Sequence, residues 1–320
     1  MSKTAKPAKD PFQGVIIAAI TPRQQHETSI DLGATLELVD FLGGTGANAI
    51  ALLGSTGEFV HFALDDRRHM TAFAAKRSRV PLLVNVSHST LDGTVELARE
   101  AACSGVGGLL LMPPYYFRYT QEDIRHFYIE FARQTEGELP VYLYNIPLFT
   151  NEIEISTALD LLDTGLFAGI KDSGGSWDYF TSLRDHATDK QYTILVGSDG
   201  LYARARAAGA HGVISGCACA VPELLVAIEA AVAANDSDRV QALDRRLSEF
   251  IEQIWKFPLP VAIKEAVKER MIKAGAHAID RGSPARQQQL DQFLSWFRPW
   301  LVAVQEECDV PSKLGRSRGR

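Results

Sequence analysis

Apolar residues along this chain alternate between two rhythms. Eight short runs are almost continuously apolar: "GVIIAAITP" (14–22), "AIALLGSTGE" (49–58), "PLLVNVS" (81–87), "GLLLMPPYY" (108–116), "PVYLYNIP" (140–147), "FAGIKDSGG" (167–175), "YTILVGSDG" (192–200) and "GVISGCACA" (212–220). Strands covered on both faces read this way, because no face is left for polar side chains. Between them lie segments with helical spacing, such as "LDGTVELAREAACSG" and "SWDYFTSLRDHA". Strands alternating with helices predict βαβ units and a parallel sheet. Eight such units in one chain predict an α/β fold of the (β/α)8 TIM-barrel class. A doubly wound open sheet is the alternative. The first strand is not followed by G-x-G-x-x-G, which weakens the dinucleotide-binding version of that sheet.

About a hundred residues follow the last strand, too many for one closing helix. "VPELLVAIEAAVAAN", "DRVQALDRRLSEFIEQIWK", "PVAIKEAVKERMIKAG" and "ARQQQLDQFLSWFRPWL" all have helical spacing. The predicted organisation is a disordered tail over 1–11, a barrel over 12–235, a helical C-terminal extension over 236–305 and a basic tail over 306–320.

The totals narrow the function. The 320 residues suffice for one large core, and 46% hydrophobic against 22% charged residues describes an ordinary globular chain. A formal net charge of -6 does not favour nucleic acid, whose binders carry basic patches. Four cysteines are too few for a disulfide framework, and the N-terminus lacks the apolar centre of a signal peptide. The expected setting is the cytoplasm.

The chemistry gathers at strand ends, where a barrel of this class places its active site. Lys171 closes the sixth strand. Buried there, its amine is pushed toward the neutral form, which can attack a ketone or aldehyde and form a Schiff base. A lysine snorkelling outward or paired with the adjacent Asp172 is the bland alternative. Tyr144 closes the neighbouring fifth strand; its hydroxyl can pass protons during imine formation, or simply sit in the core. In "GSTGEF" after the second strand, Gly54 and Gly57 bracket Ser55 and Thr56, and Glu58 reads as the start of a helix. Hydroxyls and free N–H groups at a helix start suit a carboxylate, or merely cap the helix.

Together "GSTGE", "PPYY", "YNIP", "IKDS" and "HGVIS" resemble, in order and on the expected strands, the dihydrodipicolinate synthase / N-acetylneuraminate lyase family of pyruvate-dependent class I aldolases. The resemblance spans roughly residues 12 to 300. It implies that Lys171 forms the Schiff base with pyruvate and that Tyr144 shuttles protons. It implies that Ser55 links Tyr144 to a second relay tyrosine, matched by Tyr116, which in this family can reach in from a neighbouring subunit. Thr56 and the backbone around Gly57 match the pyruvate carboxylate site, and Gly197 and the Ile214 carbonyl match positions lining it. The implied partners are pyruvate, an aldehyde or 2-oxo acid, and further copies of the chain in a homodimer or homotetramer. No cofactor or metal is implied, because the protonated imine is the electron sink; a metal-dependent class II aldolase is the rival enzyme reading.

One position departs from the pattern. Dihydrodipicolinate synthases carry an arginine shortly after "YN-x-P" to hold the carboxylate of the incoming aldehyde. Here Phe149 stands there, and a phenyl ring cannot make that bidentate pair. The expected reaction is therefore cleavage or synthesis of a 2-keto-3-deoxy sugar acid or a 4-hydroxy-2-oxoglutarate type of compound, with dihydrodipicolinate synthesis as the alternative. Arg118 is the nearest basic candidate to substitute for the missing arginine. His88, in "NVSHST", is either a contact to the second substrate or a loop histidine without chemistry. Cys217 and Cys219 read as small buried residues rather than a metal pair.

Overall fold

The computed structural model describes residues 11–24, 29–275, 277 and 282–309. The tails expected at 1–11 and 306–320 lie outside the described residues, apart from residue 11 and residues 306–309.

The eight apolar runs form eight parallel strands: β1 (Gly14–Ala18), β2 (Ala49–Leu52), β3 (Leu82–Asn85), β4 (Gly108–Leu111), β5 (Val141–Asn145), β6 (Gly169–Asp172), β7 (Thr193–Val196) and β8 (Gly212–Ser215). Each pairs with the next and β8 pairs with β1, so the barrel closes. Every strand residue is buried, which is why the runs lack polar alternation. The strands are shorter than the runs. The surplus at each C-terminal end, such as 53–58 after β2, forms the loops that carry the site.

The helices α1 (Leu32–Gly43), α2 (Leu64–Arg77), α3 (Leu91–Ser104), α4 (Gln121–Thr135), α5 (Ile155–Asp163), α6 (Trp177–His186), α7 (Tyr202–Ala207) and α8 (Pro222–Ala233) alternate with the strands. Their ends follow local chemistry. Thr120 and Asp123 form a capping box at the start of α4. Gly105, at φ 78°, takes the left-handed turn that ends α3. The closing seam needs glycine as well: a Cβ on Gly212 would run into the Gly14 carbonyl, with which it is in register.

Three further helices follow: α9 (Ser237–Ile254), α10 (Val261–Lys268) and α11 (Pro284–Glu307). An aromatic layer joins α9 to α11, with the Phe250 and Trp300 rings stacked at 5.4 Å. That layer fixes the outer end of the extension and leaves α10 to face the barrel mouth. No helix among the described residues is long and apolar enough to cross a membrane.

Candidate active site

The register of β5 against β6 sets Tyr144 beside Lys171 and Asn145 beside Asp172. Successive strand side chains point to opposite faces, so the first pair shares one side of the barrel wall and the second pair the other. Lys171 is 4% exposed and Tyr144 1%. The Lys171 Nζ lies 3.9 Å from the centroid of the Tyr144 ring. Among the described residues no carboxylate forms an ion pair with Lys171, so the paired-lysine alternative fails. Asp172 is turned away, its Oδ1 accepting from Asn145 Nδ2 at 2.8 Å and the Gly174 N–H at 3.1 Å.

The Tyr144 hydroxyl continues the chain of groups, 3.1 Å from Ser55 Oγ. Gly197 makes room for the lysine stem: a Cβ there would stand 2.9 Å from Lys171 Cε. Beyond it, Asp199 accepts from Ser215 Oγ, and burial pushes its carboxyl up against the opposing pull of its hydrogen bonds with Ser215 and Cys217 and, last, of the Lys171 charge. Ile214 precedes that serine on β8 and is buried. Thr56 Oγ1 lies over Gly216, 3.0 Å from where a Cβ would be. Lys171, Tyr144, Ser55 and Gly197 thus make a chain of direct neighbours, and Thr56, Gly57 and Ile214 stand on the strand ends around it.

A cavity of about 240 Å3 opens from Ser55, walled by Phe59, Tyr115, Phe149 and Leu259. Phe149 is 54% exposed and presents its ring where a polar anchor was looked for. Arg118 is exposed and does not line this cavity.

Two predicted residues are not brought into the site. Tyr116 is 89% exposed, sits at φ 86° and lies edge-on to the Phe117 ring, and among the described residues Ser55 bonds to Tyr144 and not to Tyr116. His88 belongs to the start of α3, its Nδ1 accepting the Thr90 N–H at 3.1 Å and its ring lying over Gly93. Burial, and then the charge of Arg67, lower its pKa.

The helix expected at Glu58 is short: Glu58, left-handed at φ 53°, caps a single 3-10 turn, Phe59–His61, and the α-helix α2 starts only at Leu64. The Glu58 side chain is drawn to Lys264 of α10.

Sequence reasoning also missed Tyr115 and Arg67. The buried Arg67 guanidinium donates to the Asn85 and Ser87 carbonyls at 3.0 Å each and lies 5.0 Å from the Phe59 ring. Burial pulls its pKa down to about 10. No local pattern marks it, since it is one of two adjacent arginines on an otherwise polar helix. Cys217 and Cys219 are buried free thiols, and Cys219 Sγ accepts the Ile20 N–H at 3.5 Å.

Comparison with known proteins decides the family. The pattern of the Dihydrodipicolinate synthetase family matches residues 11–295. The chain belongs to that family. The 4-hydroxy-tetrahydrodipicolinate synthase of Oceanobacillus iheyensis is 27% identical over 271 residues, covering 82% of this chain and 89% of that one. The 2-dehydro-3-deoxy-D-gluconate/2-dehydro-3-deoxy-phosphogluconate aldolase of Picrophilus torridus is 31% identical over 198 residues, 62% of this chain and 73% of that one. Among solved structures, a prophage protein of the dihydrodipicolinic acid synthase family from E. coli K12, in complex with pyruvate, superposes with a TM-score of 0.81 at 25% identity, covering 90% of this chain and 99% of that one. As a dihydrodipicolinate synthetase family member the protein is a lyase, a pyruvate-dependent class I aldolase acting on a 2-oxo acid.

Asp172, the partner of Asn145 behind the lysine, carries a testable electrostatic signature. Burial pushes its carboxyl up to about 6, against the opposing pull of the Gly174 and Asn145 hydrogen bonds. A raised acid binds its proton more tightly folded than unfolded. Its contribution to stability is therefore full below about pH 4 and lost as pH rises toward 6. Asp172→Asn keeps an acceptor for both donors and removes the titration. Urea denaturation should show the variant matching the parent at pH 4 and gaining on it by up to about 3 kcal/mol at pH 7. A difference that does not change with pH would contradict the assignment.

Proposed function

We propose that Lys171 is the imine-forming residue and Tyr144 its proton shuttle. The observation that carries this reading is a buried lysine without a carboxylate partner, set against a tyrosine whose hydroxyl continues to Ser55. The Lys171 amine adds to the C2 carbonyl of a 2-oxo acid. The carbinolamine loses water, with the Tyr144 hydroxyl delivering the proton. The resulting cationic imine is the electron sink. The C4 hydroxyl passes its proton to the Tyr144 oxygen, so that the tyrosine recovers there the proton it gave to the departing water, while the C3–C4 electron pair moves toward nitrogen; the aldehyde leaves and an enamine remains. Protonation at C3 and hydrolysis return pyruvate and the free amine; synthesis runs the same steps backward. Thr56 and the Gly57 backbone carry the carboxylate, and Gly197 and the Ile214 carbonyl border the C3 carbon.

Tyr116 supports a second element of the proposal. An aromatic residue held at positive φ is strained, and strain of that kind is kept where the surroundings use it. Exposed beside Phe117, Tyr116 projects away from its own site, and we assign it to the relay of a second copy of the chain in a homo-oligomer.

For the substrate, Phe149 argues for a 2-keto-3-deoxy acid whose aldehyde half carries no carboxylate at this wall, in line with what the name of the Picrophilus torridus relative says of that protein.

Three measurements test these points. Borohydride added with pyruvate should reduce one pyruvate onto each chain, on the peptide containing Lys171; label elsewhere, or none, would refute the imine. Lys171→Ala and Tyr116→Phe chains, each poorly active alone, should regain activity when mixed and reassociated, because one chain's lysine then meets the other's tyrosine. No recovery would place Tyr116 outside the relay in trans. Finally, aspartate semialdehyde should be a poor acceptor, and Phe149→Arg should raise kcat/KM for it roughly tenfold to a hundredfold, the value of a charge-assisted pair. If the unaltered chain prefers aspartate semialdehyde to every other aldehyde, it is a dihydrodipicolinate synthase.

A further inference from the structure

The loop that follows β2 is held from an unexpected direction. Lys264, on α10 of the C-terminal extension, is fully buried, and its ammonium pairs with the Glu58 carboxylate, itself 8% exposed. Removing two charges from water is expensive, and a buried pair is weak evidence of added stability. The α10 helix has other means of holding on: Val261, Ala262, Ile263, Ala266 and Val267 are all buried. The pair therefore needs another explanation, and it lies in what Glu58 terminates.

Ser55, Thr56 and Gly57 lie between two residues that are not glycine yet are left-handed, Leu53 at φ 57° and Glu58 at φ 53°. Such conformations persist only when their surroundings over-determine them. The N-terminal end is tied by Asn85 Nδ2, which donates to the Leu53 carbonyl at 2.7 Å. In the middle, Thr21 Oγ1 donates to the Gly57 carbonyl at 2.7 Å. At the C-terminal end, Glu58 pairs with Lys264, and the charge of the buried Arg23 acts on it as well. Two neighbours of that lysine reach the same region. Ile263 Cδ1 and Thr56 Oγ1 both crowd the space above Gly216, and Leu259 walls the cavity beside Ser55. The side chains of Leu259, Ile263 and Lys264 are thus directed at the loop.

We propose that Lys264 is a positioning residue for the reaction: through Glu58 it locks the Ser55–Gly57 segment in the conformation that receives the carboxylate of the 2-oxo acid. This rests on the reading of Lys171 and of that loop given above. It assigns the C-terminal extension a part in substrate binding that neither the barrel strands nor Lys171 supplies.

The test removes both charges of the pair together, so that neither partner is left buried without the other, and Arg23, on which Glu58 also acts, remains. In Glu58→Gln/Lys264→Met, borohydride labelling of Lys171 is measured against pyruvate concentration, beside the thermal midpoint. The expected result is a midpoint within about five degrees of the parent, with complete labelling at high pyruvate but a half-saturating concentration raised roughly tenfold. A folded double variant with the parent's half-saturation overturns the proposal, as does a fall in midpoint unaccompanied by any change in pyruvate binding. Should the double variant not fold, Glu58→Asp decides. It keeps both charges but withdraws the carboxylate by one methylene, and it should raise the half-saturating concentration several-fold; parental saturation overturns the proposal. Failure of the parent chain to label at Lys171 would instead refute the imine assignment, so the two readings fail separately.

Discussion

A closed ring of short parallel strands permits only one alignment of each strand with the next, and the whole site depends on that alignment. Side chains alternate along a strand, so a slip of one residue between β5 and β6 would exchange what faces the interior. Were β6 the strand displaced, Lys171 would leave and Asp172 would take its place beside Tyr144. The observed register sets the lysine and tyrosine together and turns the aspartate away, onto the Asn145 amide and the Gly174 N–H. A buried amine that forms no ion pair with a carboxylate among the described residues is what imine chemistry asks for. The same alternation that makes the barrel fold separates the nucleophile from its sequence neighbour.

Burial also explains why parts of the protein were legible in the sequence. Strands buried on both faces cannot afford polar residues, so β1 to β8 stood out as apolar runs. A lysine closing one of them was conspicuous for the same reason. Lys171 and Tyr144 close the adjacent strands β6 and β5, as the topology predicts, while Ser55 follows β2, three strands around the ring, and meets Tyr144 at the barrel mouth.

What was missed depends on contacts that no local pattern announces. "STGE" imitates a helix start, hydroxyl first and carboxylate three positions on. The carboxylate is claimed by Lys264, far along the chain, and the left-handed Glu58 leads into one 3-10 turn instead of a full α-helix. Nothing in "PVAIKEAVK" marks its first lysine as buried, because a lysine on an amphipathic helix normally faces water. His88 stood at the correct end of the barrel, yet its ring is taken up by Thr90 and Gly93 at the head of α3. The tyrosine pair 115–116 could not be resolved from sequence, since one backbone angle sends the first into the cavity wall and the second out to solvent.

The walls of the cavity beside Ser55 come from segments that share no strand. Phe59 belongs to the turn after β2, Tyr115 to the stretch after β4, Phe149 to the one after β5 and Leu259 to the approach to α10. None of them is part of the barrel's hydrogen-bonded frame. Replacing any one reshapes the chamber while leaving the lysine, its tyrosine and the register untouched. Lineages built on this plan can therefore inherit one bond-breaking apparatus intact and drift in diet, exchanging loop residues one wall at a time.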